Sequence, residues 1–367
     1  MKLYIIAGED SGDLHAAHLL RALKPLVATS LQARGVGGEQ LRVAGMHLVA
    51  HVRDINFMGF VEVVRHLQTI RRLFRTVEQD LQAWQPDAVL LVDYPGFNLR
   101  IARFVRRLGI PVYYYISPQV WAWKQGRVEQ IRRDVDRMFV ILPFEQAFYA
   151  SRGVEVDFVG HPLLDHIDEP SPASAQPPLV ALLPGSRKQE IRRVLPVMLA
   201  VAAEMPHLRF VIAGAPSQDA TFYERIIGTQ SGVELRMNQT YALLREASCA
   251  LVTSGTATLE TALFGVPEVV LYKGGWLSYA IGRRLVKVPF ISLVNLILGR
   301  AAVRELIQND CTPETCREAL EDLLRADTRA RLRADYRMLR GLLGERGASE
   351  RTAKALLAHM AAQGKEN

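Results

Sequence analysis

The sequence predicts two α/β domains, each built on a doubly wound parallel sheet, followed by helices that pack back on them. Three observations predict this. Short apolar runs alternate with longer stretches of helical spacing. The series breaks once, at a proline-rich segment, and then restarts. The chain of 367 residues, 49% of them apolar, is long enough for two separate cores.

In chain order, Leu3–Ala7, Ala88–Val92, Val112–Ile116 and Met138–Leu142 read as buried strands with helical segments between them. This makes residues 1–167 a first domain. Asp168–Pro178 has four prolines and no aliphatic side chain larger than alanine, which suits a linker. Leu179–Leu183, Arg209–Ala213, Ala250–Thr253 and Glu268–Tyr272 repeat the strand pattern and make residues 179–340 a second domain. Thr312–Gln363 is rich in Ala, Leu, Arg and Glu, with Ala319, Leu320, Leu323 and Leu324 at helical spacing, and its end, residues 341–367, is expected to return to the first domain or to a partner subunit.

Composition narrows the function. A net charge of +7 favours anionic partners: nucleic acid, phosphorylated metabolites or an acidic membrane surface. No helix-turn-helix, RNP or zinc-finger signature supports nucleic acid, and the aromatic residues lie in apolar turns. Cys249, Cys311 and Cys316 form no CxxC pair or Cys/His cluster, which argues against disulfides and structural zinc and fits a reducing cytoplasm. The first residues lack a signal-peptide pattern, and the most apolar stretch, Leu285–Val303, is broken by Lys287, Pro289, Asn295 and Arg300, so no spanning helix is expected.

Open parallel sheets bind ligands at the carboxyl ends of their strands, and with two such domains the cleft between them is the expected site. In Gly8–Asp13, glycines permit a tight turn and Ser11 or Asp13 is placed to cap the next helix, while Glu9, Asp10 and Asp13 would repel a pyrophosphate, which disfavours NAD. Gly185, Ser186 and Arg187 read either as a diphosphate site at a helix start or as a solvated basic turn. Ser254, Gly255 and Thr256 form a second anion-receptive helix start, with Glu260 placed for ribose hydroxyls. Asp93 ends an apolar strand, five residues before Asn98, and is either a general base or an aspartate bonding its own turn before Pro95. Trp121 and Trp123 line an apolar or sugar site or pack in the core. Asp134-Val135-Asp136 matches DxD but follows Arg132 and Arg133, and reads as surface charge pairing, so no metal site is expected. Phe60, Val63, Val64, Leu67, Ile70 and Phe74 share a helical stripe flanked by Arg71 and Arg72, either an interfacial membrane helix or a core-facing one.

Taken in order, Gly8–Asp13, Asp93–Asn98, Ser117–Trp123, Leu142–Glu145, Gly160–Pro162, Leu183–Arg187 and Ser254–Glu260 resemble the lipid-A-disaccharide synthases across nearly the whole chain. One departure is Val294, where the family pattern has proline. The resemblance implies a GT-B fold: two Rossmann-like domains facing a cleft. It implies a metal-independent glycosyltransferase without cofactor that joins UDP-2,3-diacylglucosamine to 2,3-diacylglucosamine 1-phosphate through a β-1,6 linkage, releasing UDP. Carried onto this chain, Arg187 and Ser254–Thr256 hold the diphosphate, Glu260 the ribose, Asn295 lies near the nucleotide and Asp93 is the base. Glu9, Ser11, Asp13, Asn98, Trp121 and Trp123 become candidates on the acceptor side. The resemblance also implies a homodimer with possible exchange of C-terminal helices, and a peripheral place on the inner face of the inner membrane, which favours the membrane reading of the stripe. The competing reading is another UDP-sugar enzyme, either with a different lipid acceptor or a UDP-N-acetylglucosamine 2-epimerase.

Overall fold

The computed structural model describes residues 1–27, 30–52, 67–168, 178–229, 232–275 and 288–363. The chain forms two compact units, one of Met1–Pro162 with Leu343–Asn367 and one of Leu163–Leu342. In the first unit the strands are β1 (Lys2–Ala7), β2 (Gln32–Gly37), β3 (His47–His51), β4 (Ala88–Val92), β5 (Val112–Tyr115), β6 (Arg137–Val140) and β7 (Val156–Phe158). They form a parallel sheet in the order β3-β2-β1-β4-β5-β6-β7. In the second unit β8 (Leu179–Leu183), β9 (Arg209–Gly214), β10 (Val233–Met237), β11 (Cys249–Thr253), β12 (Glu268–Tyr272) and β13 (Arg304–Ile307) run in the order β10-β9-β8-β11-β12-β13, also parallel. In both sheets the strand order reverses beside the first strand, between β1 and β4 and between β8 and β11. Crevices at such reversals are where doubly wound sheets hold ligands.

The central strands β4, β8 and β11 are buried at every position, as helices on both faces require, which is why their sequences are unbroken apolar runs. Five strands lack that signature. β2, β3, β7, β10 and β13 lie at or next to the sheet edges and carry polar or glycine residues, such as Arg34, which pairs with Asp80 at 2.5 Å.

The unit boundary at Pro162 and Leu163 precedes the expected domain end at residue 167. Residues just after it belong with the second unit because Arg340, on the helix Ala326–Leu342, donates to the carbonyl of Ile167 at 2.8 Å. Most of the proline-rich segment, 169–177, lies outside the described residues. The helix Ala348–Gln363 packs within the first unit on the helix Asp10–Leu23 of the same chain and buries Ala348, Thr352, Ala353 and Leu356.

The expected membrane stripe divides. Phe60, Val63 and Val64, and the side chain of Leu67, lie outside the described residues. On the helix Leu67–Trp84, Leu73, Val77 and Leu81 are buried in the core, and Phe74 stacks on Phe97 with ring centroids 4.2 Å apart. Phe74 therefore belongs to the core face, a correction to its place in the stripe, while Arg71 and Arg72 are exposed. Among the described residues no helix is long and apolar enough to cross a membrane.

Candidate active site

At the first reversal, Asp93 follows β4 and its N–H continues the ladder to the carbonyl of Tyr115 at 3.1 Å. Asp93 and Tyr94 then take left-handed backbone, with φ of 45° and 48°, before Pro95 opens the helix Pro95–Arg107. Proline disfavours helical backbone in the residue before it, and two consecutive left-handed residues that are not glycine are costly, so the surroundings must hold them. They do. The Asn98 amide, fully buried, donates to the carbonyls of Asp93 at 2.7 Å, Val92 at 3.1 Å and Ile6 at 3.4 Å, tying the ends of β1 and β4 together. The Tyr114 hydroxyl donates to the Asp93 carbonyl.

The Tyr94 ring lies directly over Gly8, where a Cβ would come within 2.2 Å of it. Residue 8 is therefore glycine because the two loops of the reversal touch there. This contact brings Glu9 into electrostatic range of Asp93. Burial, then the Glu9 charge, push the Asp93 carboxyl up to about 7, against a hydrogen bond from the Tyr94 backbone. A carboxylate with a pKa near neutrality, at the point where a doubly wound sheet reverses its strand order, suits a general base.

Other acceptor-side candidates have different roles. Asp13, only 4% exposed, accepts N–H bonds from Gly38 at 2.6 Å, Gln40 at 2.9 Å and Leu41 at 3.2 Å, so it caps the helix Glu39–Val43 instead of its own. Its own helix has Glu9 at the N-cap position, and Ser11 is exposed one position into the first turn. Asn98 likewise supports the turn and does not line it. Trp121 is buried: its indole donates to Glu145 at 3.2 Å and meets the Phe144 ring edge to face at 5.0 Å. Burial raises the Glu145 carboxyl to about 7, and its second oxygen takes the Leu142 N–H. Trp123 is exposed. Asp134 pairs with Arg133, and Asp136 with Arg106.

The second reversal is built from different groups. Gly185 has φ of 99°, and a Cβ there would meet the Glu190 carboxylate at 2.8 Å. Arg187 is the N-cap of the helix Lys188–Glu204 and is exposed, with its guanidinium 2.8 Å from Glu190 one helical turn on. The Ser186 carbonyl accepts from Ser217 at 3.0 Å and Gln218 at 2.8 Å, which fixes the turn from outside. Beside it, Gly255 caps the helix Thr256–Leu263, with Gly255 and Thr256 exposed and open space around Gly255. Two helix N-termini and a guanidinium thus meet solvent at the ends of neighbouring strands, an arrangement that attracts a multiply charged anion. Glu260 is half-buried, accepts from the Tyr241 hydroxyl at 2.7 Å and has its pKa raised by burial.

Asn295 is corrected. It is fully buried, and its amide group is saturated: it donates to the Val303 carbonyl at 2.9 Å and Glu305 at 2.8 Å and accepts from Ala302 at 2.8 Å and Val303 at 2.9 Å. No polar atom remains for a nucleotide. Glu305 also takes the N–H groups of Ile291 and Ser292, and the Ile291 carbonyl accepts from Ser254 at 3.1 Å, so this knot positions the Ser254 turn. Val294, the departure from the family pattern, is buried in the helix Leu293–Leu298.

Sequence reasoning missed Tyr94, Glu190 and Tyr241. Of these only Glu190 carried a signal, its three-residue spacing from Arg187 on a helix.

Comparison with known proteins agrees with this architecture. A glycosyltransferase of kitacinnamycin superposes with a TM-score of 0.66 at 15% identity, covering 98% of each chain. A UDP-GlcNAc 2-epimerase from Neisseria meningitidis, bound to UDP-GlcNAc, superposes with a TM-score of 0.59 at 12% identity, covering 99% of this chain and 100% of that one. These likenesses show the GT-B fold, which transferases and epimerases share, and leave the chemistry to the sequence. There, the lipid-A-disaccharide synthase of Anaeromyxobacter dehalogenans is 42% identical over 375 residues, covering 98% of this chain and 97% of the relative. The family model for lipid-A-disaccharide synthetase matches residues 3–359, and the chain belongs to that family of glycosyltransferases.

Proposed function

We propose that this glycosyltransferase joins UDP-2,3-diacylglucosamine to 2,3-diacylglucosamine 1-phosphate with inversion, giving a β-1,6-linked disaccharide 1-phosphate and UDP. The observation that supports this most is the opposite chemistry of the two reversals: a carboxyl with a pKa of about 7 on one sheet, a cation and helix N-termini on the other. The acceptor 6-hydroxyl oxygen attacks the anomeric carbon, its proton passes to Asp93, and the bond from that carbon to the UDP oxygen breaks. Arg187 and the N–H groups around Gly185, Ser186, Ser254, Gly255 and Thr256 stabilise the charge growing on UDP, without a metal. Glu260, steadied by Tyr241, takes the ribose hydroxyls. Asn98 and Asn295 hold the two turns in shape.

The proposal extends to a peripheral place on the cytoplasmic face of the inner membrane, with Arg71 and Arg72 toward anionic lipid, and to a homodimer. Serine at positions 64 and 67 should reduce liposome binding while preserving the unfolding midpoint. Light scattering tests the dimer.

The deciding experiment mixes purified protein with both lipids in detergent containing EDTA and follows UDP and the lipid product by mass spectrometry. Acceptor-dependent disaccharide is expected. UDP-sugar conversion without acceptor, or protein that binds UDP yet forms no disaccharide, sinks the reading.

A further inference from the structure

The turn after β5 holds charges that the mechanism above leaves unused. It runs from Ile116 to Gly126, between β5 and the helix Arg127–Asp134. Ile116 and Lys124 both take left-handed backbone, with φ of 64° and 55°, and a β-branched residue such as isoleucine resists it strongly. With Asp93 and Tyr94 they make four of the seven non-glycine residues of positive φ among the described residues. Backbone strain therefore gathers at the carboxyl ends of the adjacent strands β4 and β5, and strain of this kind concentrates where ligands are held.

Two cations, one in this turn and one at the first residue of the helix after it, flank an exposed indole. The Lys124 ammonium lies 4.3 Å from the Trp123 ring centroid and the Arg127 guanidinium carbon 5.9 Å from it, while Trp123 itself is 40% exposed. The neighbouring arginines Arg106, Arg132, Arg133 and Arg137 each pair with a carboxylate. Among the described residues no carboxylate pairs with Lys124 or Arg127, and burial together with the Arg127 charge lowers the Lys124 pKa. Two like charges held together without a counter-ion are unfavourable until an anion arrives. Arg127 also acts electrostatically on Tyr114, whose hydroxyl holds the Asp93 carbonyl, which links this turn to the one that carries Asp93.

We propose that Lys124 and Arg127, held by the Trp123 ring, bind a phosphomonoester, the 1-phosphate of the acceptor sugar, and so place its 6-hydroxyl at Asp93. This rests on the function proposed above. In a glucosamine 1-phosphate, the carbon bearing the phosphate and the carbon bearing C6 flank the ring oxygen. Phosphate and reacting hydroxyl therefore leave the same edge of the sugar ring and need neighbouring sites, as the turns after β4 and β5 are. The cation–π contacts fix the direction of both cations, and a planar guanidinium matches two phosphate oxygens.

The test compares 2,3-diacylglucosamine 1-phosphate with its dephosphorylated counterpart as acceptors, in non-ionic detergent without phospholipid. The wild-type protein should prefer the phosphorylated acceptor, and Lys124→Gln or Arg127→Gln should cut that preference in kcat/KM by about tenfold to a hundredfold, with Arg127→Lys restoring part of it. Equal loss on both acceptors would mean a structural role and overturn the subsite, as would an undiminished preference. A defect confined to anionic vesicles would assign the cations to lipid headgroups and also overturn it. If the wild-type protein uses neither acceptor while binding UDP, the parent function fails and the subsite with it; retained disaccharide synthesis with unchanged preference removes the subsite alone.

Discussion

The two units present the same place in the same topology and fill it with opposite chemistry. Between β1 and β4 the groups are acidic, Glu9 and Asp93, with Asp93 on strained backbone and Tyr94 over Gly8. Between β8 and β11 they are Arg187, glycine turns and two helix starts. Each is braced from behind by a fully buried asparagine, Asn98 or Asn295. The topology supplies the position and the brace, and a few side chains give the two crevices opposite charge.

This contrast can be broken most directly at its acidic half. Asp93→Asn should lower kcat by about 10²–10⁴-fold while leaving UDP affinity intact, by turnover and calorimetry; near-normal turnover would remove the base from that turn. At the other half, Arg187→Gln should cost about a hundredfold in rate and weaken UDP as well, and unchanged UDP affinity would detach the guanidinium from the diphosphate.

The braces separate structure from contact. Asn295→Ala strands buried partners and should cost about 2–4 kcal/mol, lowering the unfolding midpoint by about 5 °C or more. If instead the midpoint holds and UDP affinity drops, Asn295 reaches the nucleotide after all.

The finest test is pH. A base must be deprotonated, so kcat/KM should rise with pH through about 7, the value to which burial and Glu9 push Asp93. Burial is the larger cause, so Glu9→Gln should shift that midpoint down by less than about one unit. The raised pKa also means that the folded protein binds this proton more tightly than the unfolded chain, whose aspartate titrates near about 4. Its contribution favours folding at low pH and is lost as pH climbs through about 7. Asp93→Asn should therefore raise the thermal midpoint at pH about 8 far more than at about 4, with an intermediate gain between; the same gain at both ends would refute the buried charge.

Both reversals were partly legible in the sequence because Asp93, Arg187 and Ser254 each terminate or follow a fully buried strand, and such strands announce themselves as apolar runs. The braces were not legible in their roles. Asn98 and Asn295 look like site residues in a motif, and only hydrogen bonds to distant backbone, such as that of Ile6, show that they face inward. Edge strands such as β7, only three residues long, lack the run that marks the centre. The stripe through Phe74 was ambiguous for another reason: helical period says that one face is apolar but not what covers it, and here Phe97 does.

The first unit is closed by an element that the ribosome makes after the whole of the second. Its sheet is finished at β7, yet the helix Ala348–Gln363 that covers the helix Asp10–Leu23 emerges only after all of Leu163–Leu342. During synthesis the second unit has its whole chain in hand while the earlier-made first unit still waits for a surface to be covered. A stop codon shortly after residue 342 would therefore injure the earlier-made unit and spare the later one.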